Sequence, residues 1–182
     1  MKTVAVIIAS ITVAIAASIV LLDRFYQPPG KGPLVKSTEY TGPFIVRINK
    51  YLETGGIVQA MNGAYFEFQS EPTVSHQPVN IMTFRHDDPI DIPNDSVHFV
   101  SDKVGFVFMG WNYAVTSDGG SNWTVYDARN FLRDNQRCGY NCIQEISISP
   151  DGSGSLTINL IASPRQTVTL DSNDFGSHWE AR

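Results

Sequence analysis

Hydrophobic and polar residues alternate over short stretches along most of the chain. From Phe44 onward, runs of four to seven residues rich in β-branched and aromatic side chains are separated by Gly, Asp, Asn and Pro. Such runs are typical of β-strands, and the separating residues favour turns. The predicted strands span residues 44–48, 64–68, 79–84, 97–100, 105–110, 112–117, 123–127, 143–149, 155–161 and 167–171. Only residues 127–134 are predicted to form a helical turn, with Asp127 as its N-cap.

Two longer segments of the chain share one order of elements. Residues 98–123 and residues 146–179 each contain a strand, a turn with Asp and Gly, a second strand, a connection, a third strand and a closing octet. Each segment therefore predicts a small antiparallel meander. The chain is expected to form an all-β domain of such meanders, arranged either as a partial propeller or as a β-sandwich.

The N-terminal pattern is different. Val4–Leu22 contains 19 residues without a charge, and as a helix this run would span about 28 Å, close to the thickness of a bilayer's hydrocarbon core. Lys2 precedes the run, which predicts a cytoplasmic N-terminus. We interpret residues 1–24 as an uncleaved membrane anchor. The alternative is a signal peptide cleaved after the small residues Ala14–Ala16.

Prolines and glycines follow the apolar run. They predict a linker over residues 25–42, and residues 43–182 then form the ectodomain. The expected location is the bacterial inner membrane, with a single span and the ectodomain in the periplasm. After signal cleavage it would instead be free in the periplasm.

Composition excludes some partners and suggests a disulfide. Charged residues make up 17% of the chain, the net charge is −5, and no run of Lys or Arg occurs, so nucleic acid is not an expected partner. Cys138 and Cys142 are the only cysteines. Outside the cytoplasm such a pair predicts a local disulfide, and no second pair or nearby His completes a zinc site.

The closing octets are TSDGGSNW at 116–123 and SNDFGSHW at 172–179, and both follow the pattern Ser/Thr-x-Asp-x-Gly-x-x-Trp. In a hairpin turn an Asp accepts hydrogen bonds from unpaired backbone N–H groups, a Gly allows a positive φ, and a hydroxyl adds a local bond. The residues predicted to build the two turns are Ser117, Asp118, Gly120, Trp123, Ser172, Asp174, Gly176 and Trp179.

The octets resemble the Asp-box, the bacterial neuraminidase repeat of sialidases and other β-propeller proteins. The resemblance implies turn scaffolding at the edge of a blade, away from any catalytic centre. FIVRINKY (44–51) has an Arg-Ile pair like an early sialidase motif, but Asn49 stands where that family has Pro. A closed propeller generally needs more than the three blade-like units of this ectodomain, so we expect no glycosidase activity.

Two polar loops are candidate contact sites. FRHDDPIDIP (84–93) concentrates a histidine and three carboxylates, which is typical of a solvated loop, a partner contact or a cation site. It lacks the Gly and the final Glu of a known calcium loop, so no metal is expected. The second loop, RCGYNC (137–142), offers Tyr and Arg, which often anchor interfaces. The predicted partner-binding residues are His86, Asp87, Asp88, Asp91, Arg137 and Tyr140.

No nucleophile motif, phosphate loop or zinc spacing occurs, so we expect a binding module without cofactors rather than an enzyme. The order of an export segment, the FIVRINKYLE stretch (44–53), a Cys-containing loop and a compact β domain resembles the periplasmic immunity proteins paired with type VI secretion lipase effectors. That resemblance implies binding to a toxic phospholipase encoded by a neighbouring gene. The alternatives are a propeller-like assembly or surface-recognition module and a degenerate sialidase-like enzyme.

Overall fold

Three antiparallel sheets of four strands each make up the described part of the protein. The computed structural model describes residues 30–54, 63–87, 90–162 and 166–182. Sheet 1 contains β1 (Gly30–Thr41), β2 (Ile45–Thr54), β3 (Ala64–Glu71) and β4 (Val79–His86). Sheet 2 contains β5 (Val97–Phe99), β6 (Gly105–Met109), β7 (Asn112–Thr116) and β8 (Thr124–Asp127). Sheet 3 contains β9 (Ile143–Ile148), β10 (Gly154–Leu160), β11 (Gln166–Ser172) and β12 (Glu180–Ala181).

Within each sheet the strands lie side by side in chain order, so each sheet is an up-and-down meander. The all-β prediction is confirmed, and all ten predicted strands are present, although β2 continues six residues beyond its predicted end at residue 48. The predicted helical turn is a 3₁₀ helix, Ala128–Phe131, and the Asp127 carboxylate accepts a hydrogen bond from the Arg129 N–H at 2.9 Å.

The prediction of a linker over residues 25–42 is wrong for residues 30–41, which form the edge strand β1. Its pairing with β2 runs from Gly30↔Thr54 to Thr41↔Ile45, with register shifts on both sides of Leu34. An edge strand tolerates Pro33 because its missing N–H need not belong to the ladder. The anchor predicted over residues 1–24, together with residues 25–29, lies outside the described residues. Within the ranges that are described, no helix is long and apolar enough to cross a bilayer.

Sheet 2 lies between the other two sheets and is buried on both faces. Its central strands alternate: Phe106 and Tyr113 pack with the apolar residues of sheet 3, whereas Val107 and Ala114 pack with those of sheet 1. Successive side chains of a strand point to opposite faces, so a sheet covered on both sides must be apolar at consecutive positions. This explains the unbroken run GFVFM in β6.

The outer faces of sheets 1 and 3 are polar. In β3, buried residues alternate with the half-exposed Tyr65, Glu67, Gln69 and Glu71. In sheet 3 the outward positions are occupied in cross-strand pairs by hydroxyl, amide and carboxyl side chains, namely Ser147↔Ser155, Ser155↔Asp171, Glu145↔Thr157, Thr157↔Thr169 and Asn159↔Thr167. A stack of repeats needs such polar surfaces on its two outer faces because no further sheet covers them.

The connections between strands lie at the two ends of the strands, which we call the distal and the proximal end. At the distal end, which carries both octets, Phe44 of the β1–β2 loop contacts Phe99 and Trp123, with ring centroids 5.0 and 6.0 Å apart. At the proximal end, where β1 begins and β4 stops, Tyr140 lies beside His86, with ring centroids 4.4 Å apart. The two predicted classes of feature, scaffold turns and contact loops, therefore lie at opposite ends of the strands.

Candidate functional site

The first octet joins β7 to β8 through a turn that is organised by one carboxylate. Asp118 Oδ1 accepts hydrogen bonds from the Thr116 hydroxyl at 2.9 Å and from the backbone N–H groups of Ser121 and Asn122 at 3.1 and 2.9 Å. Its Oδ2 accepts from the Asn122 side-chain amide at 2.7 Å. The Gly120 N–H in turn donates to Thr116 Oγ1 at 3.1 Å. The carboxylate thus occupies donors that the turn would otherwise leave unpaired.

The second octet joins β11 to β12 and repeats these contacts. Asp174 Oδ1 accepts from the Ser172 hydroxyl at 2.8 Å and from the His178 N–H at 2.9 Å. Oδ2 lies 2.5 Å from His178 Nδ1, so the histidine ring stands where the first octet has an asparagine amide. The Gly176 N–H donates to Ser172 Oγ at 3.0 Å. The same hydrogen-bond pattern therefore closes two different sheets.

The sequence assignment of Ser117 is wrong. The hydroxyl that corresponds to Ser172 belongs to Thr116, because the chain position two residues before the Asp is the one whose side chain points into the turn. Sequence reasoning also missed that each turn is tied to the loop between the first two strands of its own sheet. The Gly119 N–H donates to the Lys103 carbonyl at 2.8 Å, and the Phe175 N–H donates to the Gly152 carbonyl at 2.9 Å.

A hydroxyl from the preceding sheet completes each octet. Ser70 of β3 donates a hydrogen bond to the Gly120 carbonyl and accepts one from the indole N–H of Trp123 at 3.0 Å. The octet therefore presents an acceptor and a donor side by side, and a single hydroxyl satisfies both. This contact ties sheet 1 to sheet 2.

The second copy of this link ties sheet 2 to sheet 3 and uses a longer side chain. The fully buried Tyr113 of β7 donates its phenolic hydrogen to the Gly176 carbonyl at 2.5 Å and accepts from the indole N–H of Trp179 at 2.7 Å. Burial raises the pKa of Tyr113, so the phenol keeps the proton that it donates. Neither link could be read from the octets, since the hydroxyls lie 53 and 66 residues away from the tryptophans in the chain.

The proximal end brings together the two loops that were predicted as separate contact sites. Tyr140 of the disulfide loop donates its hydroxyl hydrogen to Asp87, which also accepts from Arg85. The Tyr140 hydroxyl, followed by the Arg85 guanidinium, holds the pKa of Asp87 below its usual range. His86 is buried beneath the Tyr140 ring, so its role is packing rather than exposed contact.

Two further residues extend this surface. The Trp111 ring stacks on Tyr140 with centroids 5.2 Å apart, and the Arg129 guanidinium lies 4.3 Å from the Trp111 ring centre. Arg129 also forms an ion pair with Asp127 through Nη2 and Oδ2 at 2.5 Å. We call the surface formed by Asp87, Trp111, Arg129 and Tyr140 the Tyr140 platform.

The platform rests on rigid supports. Arg85 forms a two-point ion pair with Glu53, at 2.6 Å for Nε–Oε1 and 2.9 Å for Nη2–Oε2, and the Glu53 side chain is only 2% exposed. On the other side, Cys138 and Cys142 form the predicted disulfide, which closes the loop around Tyr140. Cys142 is fully buried, so the disulfide also anchors the loop in the hydrophobic core.

The remaining predicted contact residues make no recorded contact with the platform side chains or lie outside the described residues. Asp91 is largely exposed and pairs with Lys50 at 3.5 Å. The Arg137 guanidinium donates to the backbone carbonyls of Asp134 and Gln136, which orders its own loop. Asp88 lies outside the described residues. Sequence reasoning missed Trp111 and Arg129 as partners of Tyr140, because the stacking joins two sheets.

Among the described residues, no group of three or more His, Cys, Asp or Glu side chains is placed to hold a metal ion. An open cleft of about 490 Å³ lies beside β11 and β12, and its lining includes Phe131, Arg133 and Trp179. No known protein family, no curated protein and no solved structure matches this chain.

Proposed function

We propose that the chain is a membrane-anchored binding module of the bacterial periplasm that neutralises a protein toxin through the Tyr140 platform. One observation carries the proposal: two loops far apart in the chain converge on a single exposed surface of aromatic and charged side chains. Trp, Tyr and Arg are the residues that most often dominate binding energy at interfaces.

The platform is arranged before any partner arrives. The disulfide fixes the loop around Tyr140, and the ring is held by Asp87 on one edge and by Trp111 on its face. Binding to a surface that is already ordered loses less side-chain entropy, so more of the contact energy appears as affinity. Such an arrangement suits an inhibitor, which needs a rigid surface and no reacting groups.

The resemblance to periplasmic immunity proteins supports a particular class of target. It points to a lipase-type effector of a type VI secretion system, encoded beside this chain and acting on the membrane in which the apolar N-terminal run would be inserted. The disulfide agrees with an oxidising compartment.

A second candidate is a propeller-like assembly or surface-recognition module. Three consecutive four-stranded meanders, two of them closed by octets that resemble the Asp-box, favour it. On this reading the sheets are three blades of an open propeller fragment. Cleavage of a sialoside by the purified protein would instead favour the sialidase-like alternative.

The test compares Tyr140→Ala with Tyr40→Ala, a tyrosine near the distal end of β1 that donates to the Pro93 carbonyl at 3.0 Å and lies outside the platform. Each variant is titrated against the neighbour-encoded effector, and each is co-expressed with it in a growth assay. Loss of an interface anchor costs about 2 kcal/mol or more, which is about 30-fold in Kd. We expect that loss and a failure of growth protection for Tyr140→Ala only.

Two results would count against the proposal. If no neighbour-encoded protein binds the wild-type chain at micromolar concentration, the toxin target is wrong. If the effector binds the Tyr140→Ala variant as tightly as the wild type, the platform is not the contact surface.

A further inference from the structure

Exposed apolar side chains concentrate at the proximal end of the stack. Of the large apolar and aromatic residues that are exposed in the described part of the chain, five lie at or near this end, and they are Leu34, Val35, Leu52, Tyr140 and Ile161. Val74 in the β3–β4 connection belongs to the distal end, and Val125 lies in the edge strand β8. This asymmetry indicates that another surface covers the proximal end.

Three of these residues surround the start of the β1–β2 pair on both of its faces. Leu34 pairs with Tyr51 on the outer face of sheet 1, whereas Leu52 pairs with Ala64 on the inner face. Val35 lies between them along the edge, in the register shift that precedes Lys36. A docked protein would cover one face of a strand pair. Exposure on two faces and an edge suits immersion in a surrounding medium.

The chain that precedes β1 brings this end close to the bilayer. Only residues 23–29 separate the uncharged run Val4–Leu22 from Gly30, and fully extended they reach about 30 Å at most. β1 itself has 12 residues, so its far end lies about 35 Å from Gly30. The proximal end can therefore reach the membrane with slack in the tether, whereas the distal end would need a tether longer than residues 23–29 can provide.

The charges beside the apolar residues fit the same environment. Lys31 and Lys36 lie in β1 on either side of Leu34 and Val35, and both are exposed. Lys31 also lies 4.0 Å from the centre of the Tyr51 ring. Lysine and tyrosine next to short apolar stretches are typical of segments at the level of lipid headgroups.

We propose that the proximal end of sheet 1 rests in the headgroup region of the bilayer, with Leu34, Val35 and Leu52 as its lipid contacts. The inference rests on the membrane anchoring that the proposed function includes. It holds the Tyr140 platform at the height of the membrane surface, where a lipid-attacking toxin has to approach its substrate.

The experiment uses the full chain in proteoliposomes and two single-cysteine variants, Val35→Cys and Val74→Cys. Both are exposed valines, 53% and 93% accessible, and they lie at opposite ends of the strands. Each new thiol is labelled with an environment-sensitive fluorophore under non-reducing conditions, since both native cysteines are in the disulfide. Quenching by lipids with brominated acyl chains reports contact with the bilayer.

We expect a blue-shifted emission and strong quenching at position 35, and neither at position 74. Adding Leu34→Ser and Leu52→Ser to the Val35→Cys chain should remove most of the quenching. Equal quenching at both positions, or none at position 35 in chains that resist alkaline extraction, would overturn the inference and leave the anchoring intact. Chains that alkali extracts from the membrane would overturn the anchoring and the inference together.

Discussion

The phenolic oxygen of Tyr113 is the atom whose removal tests the link between sheets most directly. Tyr113→Phe deletes this oxygen and keeps the ring in the core, where it stacks on Tyr126 at 5.0 Å. Two buried groups then lose their partner, namely the Gly176 carbonyl and the Trp179 indole N–H. Within the described residues, the Tyr113 hydroxyl is the hydrogen-bond partner that the structure shows for each of these two groups.

The magnitude follows from counting the groups left unsatisfied. An unpaired buried polar group costs about 1–3 kcal/mol, so the loss of a partner for two such groups in Tyr113→Phe should lower the free energy of unfolding by about 2–6 kcal/mol. Ser70→Ala removes the equivalent oxygen of the first link but should cost only about 1 kcal/mol. The reason is that the Trp123 indole N–H keeps a second acceptor, the Gly120 carbonyl at 3.1 Å, and the two groups still satisfy each other.

The assay is equilibrium unfolding in urea, supported by Tm values. For a domain of this size, 1 kcal/mol corresponds to about 2–4 °C, so Tyr113→Phe should lower the Tm by roughly 10 °C. Tyr126→Phe is the matched control, because its hydroxyl bonds only the half-exposed Ser177 at 2.8 Å and water can replace it. If Tyr113→Phe costs no more than Tyr126→Phe, or if Ser70→Ala costs as much as Tyr113→Phe, the reasoning is wrong.

Two further predictions concern the second octet and the disulfide. Partial burial acts to raise the pKa of Asp174, but hydrogen bonds from His178 and Ser172 outweigh it and bring the pKa to about 2. A depressed carboxyl pKa gives stability that is complete above the unfolded-state value near 4 and is lost as the pH falls toward 2. In urea titrations between pH 5 and pH 2, the free energy of unfolding should therefore fall less for Asp174→Ala than for the wild type. At pH 7 the same variant should cost about 1–2 kcal/mol of stability; an unchanged pH slope would contradict the assignment. Reduction of the Cys138–Cys142 disulfide should cost about 2 kcal/mol for so short a loop and should weaken effector binding more than it weakens the fold; mass spectrometry of the oxidised and reduced chains, followed by titration, checks both.

The local pattern of residue types was enough to predict most strands of this fold, but not every one. The ten strands that alternate or run apolar were predicted from residue type, whereas β12 and β1 were not. β12 has only two residues, and β1 was missed because Gly30, Gly32 and Pro33 at its start resemble a linker. Its strand conformation comes from pairing with β2, and a partner strand is not visible in the local sequence.

The candidate sites, too, were predicted only where their contacts join residues that are close in the sequence. The octets were found because their contacts lie within eight residues, and the disulfide because its cysteines are four residues apart. The Tyr140 platform joins Asp87, Trp111 and Tyr140 from three separate parts of the chain. Tertiary packing alone brings those side chains together, so the sequence predicted two loops where the structure has one surface.

The opposite placement of the octets and the Tyr140 platform has a consequence for variation. The hydrogen bonds from Ser70 and Tyr113 that tie each octet to the preceding sheet lie at the distal end, whereas the platform is built from loops at the proximal end. Substitutions in those loops can change shape and charge without touching the links, since sites that share no contacts act additively. The length of the strands therefore separates the octet links from the exposed side chains of the Tyr140 platform, so those side chains can vary while the octet links stay unchanged.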